Sequence, residues 1–114
     1  MSVAFNGLMA NTATFCAGEG ITAGIPVKVG ANNTAAPCTA GDAFFGAAVS
    51  AGNGYAAVQL SGFVTLPYTG TAPVPGYNLL AGDGSGGVKV VTAGGRSLLV
   101  LNVDTSAKTA GLIL

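Results

Sequence analysis

The stretch YAAVQLSGFVTLPY, residues 55–68, most constrains what this chain can fold into, because its apolar side chains recur at every second position. This period of two predicts a β-strand with one face toward a core. The residues expected on the opposite face are Gln59, Ser61 and Thr65. Gly62 interrupts the pattern and predicts a bend or bulge, so that one long ribbon can serve two parts of a barrel.

Further short strands are predicted at residues 25–29, 44–49, 87–91 and 97–103, with loops at 31–37, 51–54, 69–76 and 81–87 between them. Asn53-Gly54 is a good two-residue hairpin turn. In the first of these strands Val27 and Val29 are expected to face inward. Pro26 is expected on an edge strand, because it cannot donate to a ladder. The spacing predicts an all-β fold, a small β-barrel or sandwich of short antiparallel strands.

The chain is long enough for one domain with its own core. Residues 1–18 show less pattern, and we interpret them as an extended N-terminal arm before a β-barrel domain of residues 19–114. The arm is either a disordered terminus or a segment that orders on a partner's sheet edge. The chain ends in a short apolar tail, which either completes the core or makes an intersubunit contact; it comprises Leu112, Ile113 and Leu114.

Charge is scarce: charged residues make up 7% of the chain, against about 25% in ordinary soluble domains. Residues 43–82 contain none. The four acidic and four basic residues are scattered, so we expect no nucleic-acid binding. No apolar run reaches the length of a transmembrane helix, and no positive residue precedes the weakly apolar N-terminus, so we expect no membrane span and no export signal. Cys16 and Cys38 are therefore expected as free thiols.

Enzyme chemistry has little support in this sequence. The chain has no histidine, and its four carboxylates show no spacing that favours a pair. Residues 82–87 satisfy the pattern G-x-G-x-x-G, but they lead into VKVV, a strand, so a hairpin loop is the expected structure. We expect no catalytic residue, no cofactor and no metal site.

A surface with so few charges is compatible with solubility when neighbouring molecules cover it, because interface centres are depleted in charged residues. This consideration predicts contact with other copies of the chain or with a larger partner, and a homo-oligomer, with a trimer favoured, would hide a good share of the surface. The uncharged ribbon would then contribute both to the core and to a contact between subunits.

The succession GIPVKV, GDAFFGAAVSAGNGYAAVQLSGFVTLPY, PGYNLLAGDGSGGVKVV and SLLVLNVD, within residues 21–114, resembles the capsid decoration, or cement, proteins of tailed bacteriophages. The likeness is to the β-barrel type represented by the lambda head decoration protein. It implies a structural virion protein, made in the host bacterial cytoplasm, that binds the outer surface of the expanded capsid and stabilises it. The implied partner is the major capsid protein. By position in the arm, the capsid contacts would be Val3, Phe5, Leu8 and Met9.

Two other functions stay open at this point. The first is a secreted carbohydrate- or ligand-binding β-module, with Cys16 and Cys38 bridged and a stacking platform made of Tyr55, Tyr68 and Tyr77. The second, also structural, is a component of a phage tail, fibre or baseplate.

Overall fold

A computed structural model describes residues 11–114, which form ten strands and no helix. Their bounds are β1 Asn11–Ala17, β2 Pro26–Ala31, β3 Thr34–Pro37, β4 Gly46–Gly52, β5 Tyr55–Ser61, β6 Phe63–Pro67, β7 Gly76–Gly82, β8 Val88–Val90, β9 Arg96–Asp104 and β10 Thr109–Ile113. Five strands close a barrel in the order β1-β3-β2-β4-β5, and the others form an open sheet in the order β6-β10-β9-β7-β8. The predicted all-β fold is confirmed.

The strand β1 closes the barrel, pairing antiparallel with β5 and parallel with β3. Its Phe15 ring packs edge-on against Phe45, with the ring centroids 5.3 Å apart. Residues 11–17 therefore belong to the barrel and not to an arm, which corrects the expected boundary at residue 18. The strand does alternate, with Ala13, Phe15 and Ala17 more buried than Thr12 and Thr14. The alternation is weak in the sequence, because two of its three inward-facing residues are alanines.

The four capsid contacts expected in the arm lie outside the described residues; they are Val3, Phe5, Leu8 and Met9.

The ribbon of β5 and β6 bends at Gly62 as predicted, and its two halves lie in different sheets. Gly62 has a φ of 95°, a left-handed conformation that glycine adopts without steric cost. The predicted hairpin turn between β4 and β5 is confirmed as well, with positive φ at both Asn53 and Gly54.

Each sheet has its own core, and the start of β4 contributes to both. Phe44 and Ala47 pack in the core of the open sheet, whereas Phe45 and Ala48 pack with the barrel core. Gly46 lies between Phe45 and Ala47, and a Cβ atom there would collide with the Gln59 carbonyl of β5. Glycine at this position therefore allows the start of β4 to approach β5 closely within the barrel.

The predicted orientation of β2 is partly wrong. Pro26 is buried at the start of a strand that lies between β3 and β4, where the missing N–H of a first residue costs no ladder bond. Val29 is 63% exposed, because β4 pairs with β2 only at Pro26 and Val27 and so leaves the end of the strand uncovered.

The open sheet curls until its two edges meet at one end. Tyr68, after β6, forms a parallel bridge with Val88 of β8, and the amide of Thr69 donates to the Val88 carbonyl at 3.0 Å. The apolar C-terminus supplies β10, whose Leu112 is completely buried. The prediction that this tail completes the core is confirmed for Leu112.

Candidate interaction surface

The outer face of the open sheet carries a row of four apolar side chains, which we call the outer apolar row. Tyr77 of β7 lies opposite Leu99 of β9, Leu99 opposite Ile113 of β10, and Ile113 opposite Phe63 of β6. Residues directly opposite one another in antiparallel strands project from the same face of a sheet. The row therefore crosses four adjacent strands.

The inner face is built by the neighbours of these residues. Val100 of β9 is paired with Leu112 of β10, which is paired with Val64 of β6, and all three belong to the core cluster or pack against it. The middle of the open sheet is consequently apolar on both faces.

The outer apolar row is accessible to a partner, though unevenly. Tyr77 is 75% exposed, while Leu99, Ile113 and Phe63 are half-buried. Gly111 of β10 permits this arrangement, because a Cβ there would lie 2.7 Å from the Phe63 ring and 2.6 Å from Asn102 Oδ1. The Phe63 ring thus reaches over Gly111 of the neighbouring strand β10.

The strands under the row are almost free of charge. The strands β6, β7 and β10 contain no charged residue, and β9 has Arg96 and Asp104 only at its two ends. Arg96 donates to the Phe44 carbonyl at 3.2 Å, toward the junction of the two sheets.

The acidic residues are used inside the fold to hold turns. Asp83 Oδ1 accepts hydrogen bonds from the amides of Ser85 (2.6 Å) and Gly87 (3.0 Å), and its Oδ2 accepts one from the Thr69 hydroxyl. Asp104 Oδ1 likewise accepts from the amides of Ser106 and Ala107, each at 3.0 Å. Both carboxylates therefore stabilise turns through main-chain donors.

Asp42 stabilises the loop between β3 and β4 and links it to β2. Its Oδ2 accepts from Lys28 Nζ at 2.7 Å and from the amide and hydroxyl of Thr39 at 2.9 and 2.6 Å. These bonds hold the pKa of the Asp42 carboxyl well below its usual range, and the bond from Lys28 has the largest effect. The same bond raises the pKa of Lys28. Three of the four carboxylates are thus occupied by local contacts.

The barrel presents a different exterior. Along β1 the exposed side chains are Thr12, Thr14 and Cys16, between inward-facing Ala13 and Phe15. The regular alternation is typical of a sheet with one solvated face. The barrel exterior is therefore polar along β1, whereas β2, β4 and β5 expose Val29, Val49 and Tyr55.

The glycine-rich segment 82–87 forms the hairpin loop predicted from its context, between β7 and β8. The Asp83 carboxylate already occupies the amides of Ser85 and Gly87, which are the donors that a phosphate would need. This loop lines a cleft of about 310 Å³ together with Cys38.

The two cysteines are free thiols, as expected. Cys16 is exposed on β1, and Cys38 is half-buried against the core of the open sheet. Burial raises the pKa of Cys38 to about 11, so this thiol is protonated at neutral pH.

The three tyrosines do not form one platform. Tyr68 is a core residue, 5% exposed, whereas Tyr55 lies on the barrel and Tyr77 on the open sheet. The arrangement that a sugar-stacking site would require is therefore not assembled by these side chains.

Among residues 11–114, no group of three histidine, cysteine or acidic side chains could hold a metal ion. The same part of the chain has no helix long and apolar enough to cross a membrane. The chain matches no model of a known protein family and no curated protein.

Proposed function

We propose that this chain is a capsid decoration protein of a tailed bacteriophage, a structural protein that binds the outer surface of the expanded capsid and stabilises it. The outer apolar row carries the proposal, because it is a partly exposed apolar surface on a chain with few charges to keep it solvated. In this proposal the protein works by binding alone, with no catalysis and no cofactor. It is made in the host bacterial cytoplasm and is then found on the virion surface.

The physical argument starts from the uneven exterior. Fully burying an exposed large apolar side chain contributes roughly 1.5–3 kcal/mol, so covering Tyr77 and the exposed parts of its three half-buried neighbours favours association. Charged residues are depleted at the centres of interfaces, and the strands under the row carry charges only at the ends of β9. A protein with exposed apolar side chains and few charges is suited to assembly with neighbouring molecules.

A capsid supplies such neighbours in many identical copies. We propose that the protein attaches to the major capsid protein as a homo-oligomer, with a trimer favoured. Several modest contacts made at once raise the effective affinity by orders of magnitude without any single strong site. This form of attachment requires no deep pocket.

Part of the capsid contact is proposed to come from residues before β1. The chain enters the barrel at Asn11, beside Ser61 at the end of β5. The four apolar residues proposed to touch the major capsid protein are Val3, Phe5, Leu8 and Met9.

The test is binding to shells that lack the protein. Purified protein is mixed with expanded capsids, with unexpanded capsids and with isolated tails, and bound protein is quantified after sedimentation. The proposal predicts saturable binding to expanded capsids. Absence of binding to expanded capsids would overturn it, and binding to tails instead would support the tail, fibre or baseplate function.

A further inference from the structure

We propose that a groove beside the end of β2 binds an extended, acidic segment of a partner protein, which adds to the edge of β2 and places a carboxylate on Arg96. This groove, which we call the β2 groove, measures about 550 Å³ and is lined by Lys28 and Val29 of β2, by residues 42–45 before β4 and by Arg96 of β9. The inference goes beyond the decoration function and does not depend on it, because it defines the partner by its chemistry.

The main chain of Val29 faces the β2 groove. Pairing between β2 and β4 ends at Val27, whose carbonyl accepts from the amide of Phe45 at 3.0 Å. Main-chain groups alternate in direction along a strand, so Val29 directs its N–H and C=O to the same side as Val27. Ala35, opposite Val29 on β3, agrees with this orientation, because its carbonyl accepts from Gly18 on the side away from β2, at 2.8 Å.

This edge of β2 is available to a partner. Val29 is 63% exposed, and no main-chain group within residues 11–114 is hydrogen-bonded to its N–H or C=O. The β2 groove therefore offers one main-chain donor and one acceptor beside an exposed apolar side chain.

The β2 groove also has a positive charge without a counter-ion. Lys28 is neutralised by Asp42, whose carboxylate lies 2.7 Å from Nζ, whereas Arg96 pairs with no carboxylate in the described part of the chain. One N–H of the half-buried Arg96 guanidinium donates to the Phe44 carbonyl, and the others form a fork that fits a carboxylate. Two of the chain's four basic residues thus line one groove in a protein of zero net charge. The groove is complementary to a negatively charged partner.

An extended segment fits both features at once. A strand that adds to a sheet edge gains main-chain hydrogen bonds, and the surroundings of the edge select its side chains. Val29 and Arg96 line the same groove, so a segment paired with Val29 carries a side chain into the space beside the guanidinium. Hydrogen bonds between a guanidinium and a carboxylate are roughly twice as strong as neutral ones. An acidic side chain in the segment is therefore selected.

The occupant is another protein and not a second copy of this chain. The carboxylates of Asp42, Asp83 and Asp104 already accept hydrogen bonds within the fold. Glu19, the fourth acidic residue, lies between β1 and β2 beside Gly20, whose φ of 86° belongs to a turn. The described strands of this chain therefore offer no free carboxylate on an extended segment.

The experiment follows peptide binding to the isotopically labelled full chain by NMR. The probes are acetylated and amidated heptapeptides of alternating threonine and valine, with glutamate, glutamine or lysine at the centre. The glutamate peptide is expected to shift the resonance of the Val29 amide and to slow its hydrogen exchange. It is also expected to bind at least about tenfold more tightly than the lysine peptide, because hydrogen bonds to charged groups are the stronger ones.

Two variants form a matched pair. Arg96→Gln removes a positive charge from the β2 groove, and Lys108→Gln removes one from an exposed lysine outside it. The preference for glutamate over glutamine is expected to disappear in the first variant and to persist in the second. Circular dichroism verifies the fold of each, and Arg96→Lys, which keeps the charge without the fork, is expected to retain part of the preference.

Three results would overturn the inference. The first is an unchanged Val29 amide with every peptide at millimolar concentration. The second is a preference for glutamate that survives Arg96→Gln. The third is binding of the glutamate peptide without any change at the Val29 amide, since the carboxylate would then bind without an added strand. Because no capsid is used, the result is independent of whether the protein decorates one.

Discussion

The side-chain amide of Gln59 donates to the main-chain carbonyl of Phe63 at 2.9 Å, and so connects the end of the barrel strand β5 to the first residue of β6 in the open sheet. The same amide donates to the Ser61 carbonyl at 3.1 Å, on the other side of Gly62. Gln59 is the buried polar side chain of the described core, 8% exposed. One buried amide thus fixes the bend from which the second sheet starts.

Replacing Gln59 with leucine is expected to destabilise the protein. Gln59→Leu keeps a side chain of similar size but removes both hydrogen bonds, which costs about 1–3 kcal/mol of the free energy of unfolding. Urea denaturation measures this change. A variant as stable as the wild-type protein would show that the amide does not hold the bend.

Alanine at Gly62 tests the bend through the backbone. The φ of 95° is strained for any residue with a Cβ, so Gly62→Ala is expected to cost about 1–3 kcal/mol. Gly52→Ala is the matched control, since a Cβ there meets nothing within 4 Å. Thermal denaturation of both variants should show a lower Tm for the first alone, and equal Tm values would contradict this account of the bend.

Two truncations test the boundary of the barrel. Deletion of residues 1–10 keeps all ten strands, so a cooperative thermal transition is expected, together with weaker binding to expanded capsids. Deletion of residues 1–17 removes β1, which pairs with both β3 and β5, and is expected to abolish that transition. A folded protein without β1 would mean that the barrel does not need to be closed.

The contact between Lys28 and Asp42 predicts a dependence of stability on pH. The pKa of Asp42 is lowered from its ordinary value of 3.8 in the folded protein, so its contribution is complete above pH 3.8 and is lost as the pH falls through the lower folded-state value. The pKa of Lys28 is raised from 10.5, so its contribution is complete below pH 10.5 and is lost at still higher pH.

Asp42→Asn separates this pair from the other carboxylates. Urea denaturation at a series of pH values is expected to show the variant less stable than the wild-type protein at pH 7, with the difference shrinking in acid. A difference that stays constant down to acid unfolding would mean that the charge of Asp42 has no part in stability.

Local patterns predicted much of the fold where alternation was strong and turns were clear. The ribbon 55–67 and its bend at Gly62 follow from a period of two and one glycine. The strand β3, only four residues long and ending in Pro37, lies within a segment whose asparagines predict a loop. Alternation does not predict the strand β7, because its segment NLLA has none. The adjacent residues Leu80 and Ala81 are both completely buried.

The candidate surface could not be predicted from the sequence, because it depends on register. Its members Tyr77, Leu99, Ile113 and Phe63 lie on four strands, and although β9 and β10 are consecutive, the pairing of β6 with β10 joins segments far apart in the chain. A shift of one residue in any strand would move its member of the row to the inner face. The sequence indicated that the exterior is short of charges, and the structure shows that part of this exterior is an apolar row across the open sheet.

The most direct test of the account is a cryo-electron microscopy reconstruction of an expanded capsid with the protein bound, at a resolution that shows side chains. The account predicts density for the protein on the outer surface of the shell, with the Tyr77 ring enclosed between protein molecules. A reconstruction with no added density, or one in which Tyr77 and Leu99 face solvent, would contradict it.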